Sequence, residues 1–122
     1  MDNEFGAYLR RKRKDKKLTV RTFADLIGKS GSYVSQLECG IRIAPKGELL
    51  HKMARALSLN DTERDKFFDL AAITRDSVSE DLADYINAHP NVKQTIRLSQ
   101  KCEIPEKEWS DFAKSIKEKF LL

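Results

Sequence analysis

The chain has little of what metal or thiol chemistry requires. Its 122 residues include two cysteines, Cys39 and Cys102, and two histidines, His51 and His89. These four are far apart and none has a neighbour at metal-ligand spacing, so no metal site is expected. The thiols are expected to be free and kept in a reducing compartment. No apolar run approaches the roughly 20 residues that a membrane span needs. The opening stretch, MDNEFGAYLRRKRK, starts acidic and lacks an apolar h-region, so a cytoplasmic protein is expected rather than a secreted one. There is no glycine-rich phosphate loop, no His-Glu-x-x-His pattern and no Ser/His/Asp arrangement. Asp81, Asp84 and Asp111 are scattered as on solvated helix faces. An enzyme is therefore not expected, and no catalytic residue, cofactor or metal is assigned. Strand alternation, internal repeats and low-complexity tracts are also missing, which leaves an all-α chain.

The residues that are present fit a globular protein with one modest core. Hydrophobic residues make up 40% and charged residues 34% of the chain. The net charge of +4 is unevenly spread. Residues 1–57 hold 13 Lys/Arg against 6 Asp/Glu, a balance of +7, and residues 58–122 hold 10 against 13, a balance of −3. A basic front half is what a chain needs when that end meets a polyanion.

Periodicity predicts five helices in the first 74 or so residues. Phe5, Tyr8, Leu9 and Lys12 lie at three- and four-residue steps, giving a helix over about 3–15. It ends in RRKRKDKK, where seven cations meet the negative end of the helix dipole. Thr19 is a natural N-cap for a second helix whose buried stripe is Val20, Phe23, Ala24 and Ile27, and Gly28 suits its C-terminal end. Ser30 can cap a third helix with Val34 and Leu37 inward, ended by Gly40. Two short helices joined by about three residues form a helix-turn-helix, which presents the second at a steep angle. Pro45 marks the approach to a fourth helix, with Leu49, Leu50, Met53, Ala54 and Leu57 facing the core. Asn60 and Glu63 form a capping box for a fifth, which buries Phe67, Leu70 and Ala71, with Phe68 a further candidate.

The spaced set Leu18-Thr19, Phe23-Ala24, Leu26-Ile27-Gly28, Ser30, Tyr33-Val34-Ser35-Gln36-Leu37-Glu38, Gly40, Pro45, Met53-Ala54 and Leu57 resembles the Cro/CI-type helix-turn-helix family, also called the XRE family. The resemblance covers about residues 5–72. It implies a lambda-repressor-like, five-helix DNA-binding domain, assigned to 1–74, in a bacterial or phage-derived transcriptional regulator associated with the nucleoid. The function it implies is that of a repressor that binds double-stranded DNA at a palindromic operator as a dimer, through a recognition helix at 30–38. Carried over by position, Ser30, Gly31, Ser32, Tyr33 and Gln36 face the groove. The Gln36 amide can bond bidentately to adenine N6 and N7. Thr19 and the start of the second helix would hold phosphate, with Arg21, Lys29 and Arg42 as further contacts and Arg10 and Lys46 as weaker candidates. Arg13 and Glu38 match positions that pair in relatives. Departures from the family pattern are Val20 where glutamine is frequent, Lys29 at a usually apolar turn position, Gly31 at a base-reading position and Ile41 in place of a cation.

Residues 75–122 are expected to form about three further helices. The polar connector TRDSVS leads to a helix capped by Ser79 with Leu82, Tyr85 and Ile86. His89-Pro90 breaks it, a second helix follows with Val92, Ile96 and Leu98 or Ser99, and a terminal helix carries Trp109, Phe112, Ala113, Ile116 and Phe120. These stripes either complete the monomer's core or form an interface. Trp109, Phe112 and Ile116 are the expected dimer or partner surface. The alternative reading is a protein-interaction module, an antitoxin or inhibitor that grips a protein partner with the same fold.

Overall fold

In the computed structural model, which describes residues 3–121, the chain is helical wherever it is regular. The helices are α1 (Glu4–Asp15), α2 (Val20–Ile27), α3 (Gly31–Cys39), α4 (Glu48–Ala56), α5 (Asp61–Thr74), α6 (Glu80–Ala88), α7 (Pro90–Lys101) and α8 (Glu106–Phe120). No helix among the described residues is long and apolar enough to cross a membrane. The chain divides into two compact units, Met1–Ala83 and Asp84–Leu122.

Local chemistry starts and stops the first helices. Thr19 Oγ1 accepts from the Thr22 amide at 3.0 Å, and Ser30 Oγ accepts from the Tyr33 amide at 3.1 Å. Each satisfies one of the donors that a helix start leaves open. Gly28 closes α2 in the left-handed region at φ 71°, which bends the chain directly into α3. The full capping box forms at α5. The Glu63 amide donates to Asn60 Oδ1 at 2.8 Å, and the Asn60 amide donates to Glu63 Oε1 at 3.0 Å.

The core of the first unit is built from the helical stripes. Leu9, Phe23, Ile27, Val34, Leu37, Met53, Leu57 and Phe67 are its largest fully buried side chains. Phe67 stands 5.1 Å from Phe5 between ring centroids and 6.4 Å from Phe68. α3 packs against α1 and α2, while α5 packs against α1 and α4. Phe68 is buried and Leu49 only partly so, because Leu49 lies at the rim of the cluster.

Two features set the position of α3. Arg13 Nε donates to Glu38 Oε2 at 2.6 Å and its Nη2 to Oε1 at 2.9 Å, a two-pronged pair with both side chains below 10% exposure. The remaining Arg13 Nη1 donates to the Leu18 carbonyl at 2.8 Å, so one guanidinium ties together α1, the end of α3 and the turn before α2. Gly6 supplies the second feature. A Cβ there would fall 2.5 Å from the Leu37 carbonyl oxygen and 2.6 Å from that of Glu38. Only a hydrogen at this point lets α1 cross so close to the end of α3. Asn3 Nδ2 reinforces the crossing by donating to the Glu38 carbonyl at 2.7 Å.

The first unit continues past the polar connector. Arg75 Nη1 donates to the Pro45 carbonyl at 2.6 Å, and the Ala44 amide donates to Thr74 Oγ1 at 3.0 Å. The Gly47 amide lies 2.9 Å from both carboxylate oxygens of Glu80. Ser79 is buried, and its hydroxyl donates to Asp81 at 2.6 Å. The second unit is arranged differently. Among its described residues, α7 and α8 bury none of their side chains.

Removing Arg13 alone strands the Glu38 carboxylate in a nearly dry site, which costs about 3–5 kcal/mol. Arg13→Ala should therefore melt far below the unaltered protein in calorimetry, and a melting point within a degree or so of it would contradict the buried pair. A pH effect follows from Glu63. Its hydrogen bonds from Lys12, at 2.5 Å, and from the Asn60 amide hold its carboxyl below the ordinary 4.5. Its contribution is therefore complete above 4.5 and is lost as pH falls through the lower folded value. Melting points followed downward from neutral pH should drop less steeply in Glu63→Gln; identical slopes would show that the carboxylate contributes nothing.

Candidate nucleic-acid interface

The exposed side of α3 is prepared by what the core removes from it. Val34 and Leu37 are buried, and the only acid of the helix, Glu38, is neutralised against Arg13. What faces outward is uncharged and polar: Ser32 and Ser35 are exposed, and Gln36 is half-buried with its amide reaching the surface cluster described below. The nearby cations Arg21, Lys29 and Arg42 are also exposed.

Four of the residues singled out from sequence come together. The Tyr33 ring lies between two cations, with Lys29 Nζ 5.4 Å and the Arg42 guanidinium 5.2 Å from its centroid. Arg42 Nε also donates to Gln36 Oε1 at 2.9 Å. Gln36 thus has its amide orientation set by chemistry, because only its oxygen can accept from a guanidinium. Its NH2 group keeps two donors, and its oxygen keeps one lone pair. Burial pushes the Tyr33 phenol above its ordinary value, with the Arg42 charge opposing, so the hydroxyl remains a neutral donor at physiological pH.

The loop after α3 explains why Arg42 reaches Gln36. Gly40 takes φ 78°, and the amides of Ile41 and Arg42 both turn back to the Gln36 carbonyl, at 3.0 and 3.4 Å. The link between Arg42 and Gln36 was not evident from spacing, since it depends on that reversal. A cation two residues after a helix-ending glycine is the signal that could have found it.

Thr19, Arg21, Ser30, Gly31 and Ser32 lie at the starts of α2 and α3. The two starts are neighbours, since a Cβ on Gly31 would meet Val20 Cγ1 at 3.7 Å. That is ordinary contact, and Gly31 has no positive φ, so nothing in the fold demands glycine there. Helix starts carry unpaired amides and the positive end of the dipole, which suits them to phosphate. Arg10 and Lys46 are exposed but are not part of the Tyr33 cluster. Trp109, Phe112 and Ile116 belong to the second unit, where the Trp109 and Phe112 rings meet edge to face at 6.4 Å. Cys39 and Cys102 are free and exposed, and no group of three or more His, Cys, Asp or Glu that could hold a metal occurs among the described residues.

The helix-turn-helix geometry agrees with comparison to known families. The pattern that defines the helix-turn-helix domain family matches residues 4–67, just over half of the chain. The chain belongs to that family, a class of DNA-binding domains typical of transcriptional regulators. Comparison with curated proteins and with solved structures finds no match.

Proposed function

We propose that the protein is a sequence-specific transcriptional regulator of the Cro/CI type, a repressor that binds a palindromic operator as a dimer. The N-terminal unit binds the DNA, and the helical extension joins two copies through α8, with Trp109, Phe112 and Ile116. The recognition helix, residues 30–38, enters the major groove. Gln36 and Ser32 address base edges, and Ser30, Gly31 and Tyr33 line the same side. Thr19, Arg21, Lys29 and Arg42 hold the phosphates on either side. The observation that carries this reading is the Gln36 amide, fixed by Arg42 at 2.9 Å on a helix face that has no free acid. A fixed amide loses less freedom on binding than a mobile one, and its discrimination between bases is correspondingly sharper. One oxygen lone pair and two amide hydrogens are still enough for the paired contact with adenine N6 and N7.

A second reading has one observation in its favour. Ile41, Ile43 and Ile73 are 77%, 64% and 67% exposed and line a groove that also includes Phe5 and Leu37. An antitoxin or inhibitor could grip a protein partner there. DNA binding that is undetectable, or insensitive to salt, would favour this module over the regulator.

Fluorescence anisotropy on a site drawn from a randomised duplex pool tests the regulator. Gln36→Ala should lose about 1–3 kcal/mol of binding per half-site and flatten the preference at one base pair in each half-site. Arg21→Ala should weaken all sequences alike and reduce the salt slope by about one per half-site. Unchanged affinity and preference in Gln36→Ala would sink the proposed groove contact.

A further inference from the structure

We infer that α8 pairs with α8 of a second copy in antiparallel orientation, centred on Ala113. This rests on the reading that the extension joins two copies, and it specifies how they meet. The need for a cover comes from burial. Phe112 is 57%, Phe120 76% and Ile116 39% exposed, and neither α7 nor α8 buries a side chain. Trp109 is only half-buried and Phe112, Ile116 and Phe120 lie open, so the stripe recovers little of the entropy of ordering the helix until a partner surface covers it.

The charge pattern of α8 identifies the partner as its own copy. At 100° per residue, Trp109, Phe112, Ile116 and Phe120 fall on one face. Ala113, midway along the helix, sits at the edge of that face and is small enough for a close crossing. Residues 106–111 carry Glu106, Glu108 and Asp111 against Lys107, a balance of −2. Residues 114–119 carry Lys114, Lys117 and Lys119 against Glu118, a balance of +2. A parallel pair would lay acid on acid and base on base. An antiparallel pair lays each acidic half on the other copy's basic half, at both ends at once, as a twofold axis requires.

The flanks of the stripe carry the same information. Glu108 and Lys119 lie on one flank, at nearly equal distances either side of Ala113, while Glu106 and Lys117 lie on the other. In an antiparallel twofold pair each flank faces its own copy. Glu108 then meets Lys119 of the second copy, and Glu106 approaches Lys117 of the second copy. Lys107 and Asp111 are occupied with each other at 2.9 Å and stand outside these contacts.

Sedimentation equilibrium of the full chain over a concentration series tests the pairing. The unaltered protein should show a monomer–dimer equilibrium, and Phe112→Glu should abolish it. Glu108→Lys and Lys119→Glu should each raise the dimer Kd by about 5- to 30-fold, because each sets like charges opposite one another at two symmetric places. The combined Glu108→Lys/Lys119→Glu chain should recover to within about threefold of the unaltered Kd, since opposite charges face again. All three positions are exposed, and circular dichroism checks that helicity is retained. A chain that stays monomeric throughout, a dimer that survives Phe112→Glu, or a double variant no better than the single ones would overturn the pairing. A dimer that survives Phe112→Glu while base preference persists overturns this inference alone. Loss of all DNA binding with the α8 dimer intact overturns the regulator reading instead.

Discussion

The Arg13–Glu38 pair is where the fold and the exposed face of α3 are determined together. Its two short hydrogen bonds hold the C-terminal end of α3 against α1, and the third, to Leu18, fixes the approach to α2. Desolvating two charges is unfavourable unless every prong is satisfied, and here the guanidinium has three acceptors in place. The same contact removes the one negative charge of α3 from the surface. A free glutamate two residues from Gln36 would repel a phosphate backbone. Buried against Arg13, it leaves a helix whose outward side is neutral and whose surroundings are basic. The close crossing at Gly6 is the steric counterpart of this pair, and Asn3 completes it with a bond to the Glu38 carbonyl.

Around that fixed helix, the proposed reading surface is small but ordered. Tyr33 is held between Lys29 and Arg42, and Arg42 in turn holds Gln36. Each cation is thereby positioned by an aromatic ring, which leaves a compact basic rim around one oriented amide. A surface with a single strongly discriminating side chain gains selectivity by being used twice. This is the physical motive, in the proposed regulator, for placing two copies about one helical turn of DNA apart.

Much of the first unit was legible in the sequence because it depends on local rules. The caps at Thr19, Ser30 and Asn60 and the stripe of Phe23, Ala24 and Ile27 are written at fixed offsets and occur as those offsets predict, whereas Val20, expected in the same stripe, is only partly buried. What was not legible depends on distant parts of the chain meeting. No periodicity marks Gly6 as a contact with the end of α3. Nothing in the spacing announces that Glu80 accepts from the Gly47 amide or that Arg75 reaches the Pro45 carbonyl. The Arg42–Gln36 bond likewise needs the chain reversal at Gly40. In α7 and α8 the apolar stripes were visible, but whether they close a core is a question of burial, which a stripe alone does not answer.

In the proposed regulator α3 reads DNA, and two copies do so together. Sequencing the duplexes that the full chain retains from a randomised pool tests this most directly. The expected result is an enriched site of two inverted half-sites whose centres lie about one helical turn, roughly 34 Å, apart. A pool that emerges without any enriched sequence would contradict it.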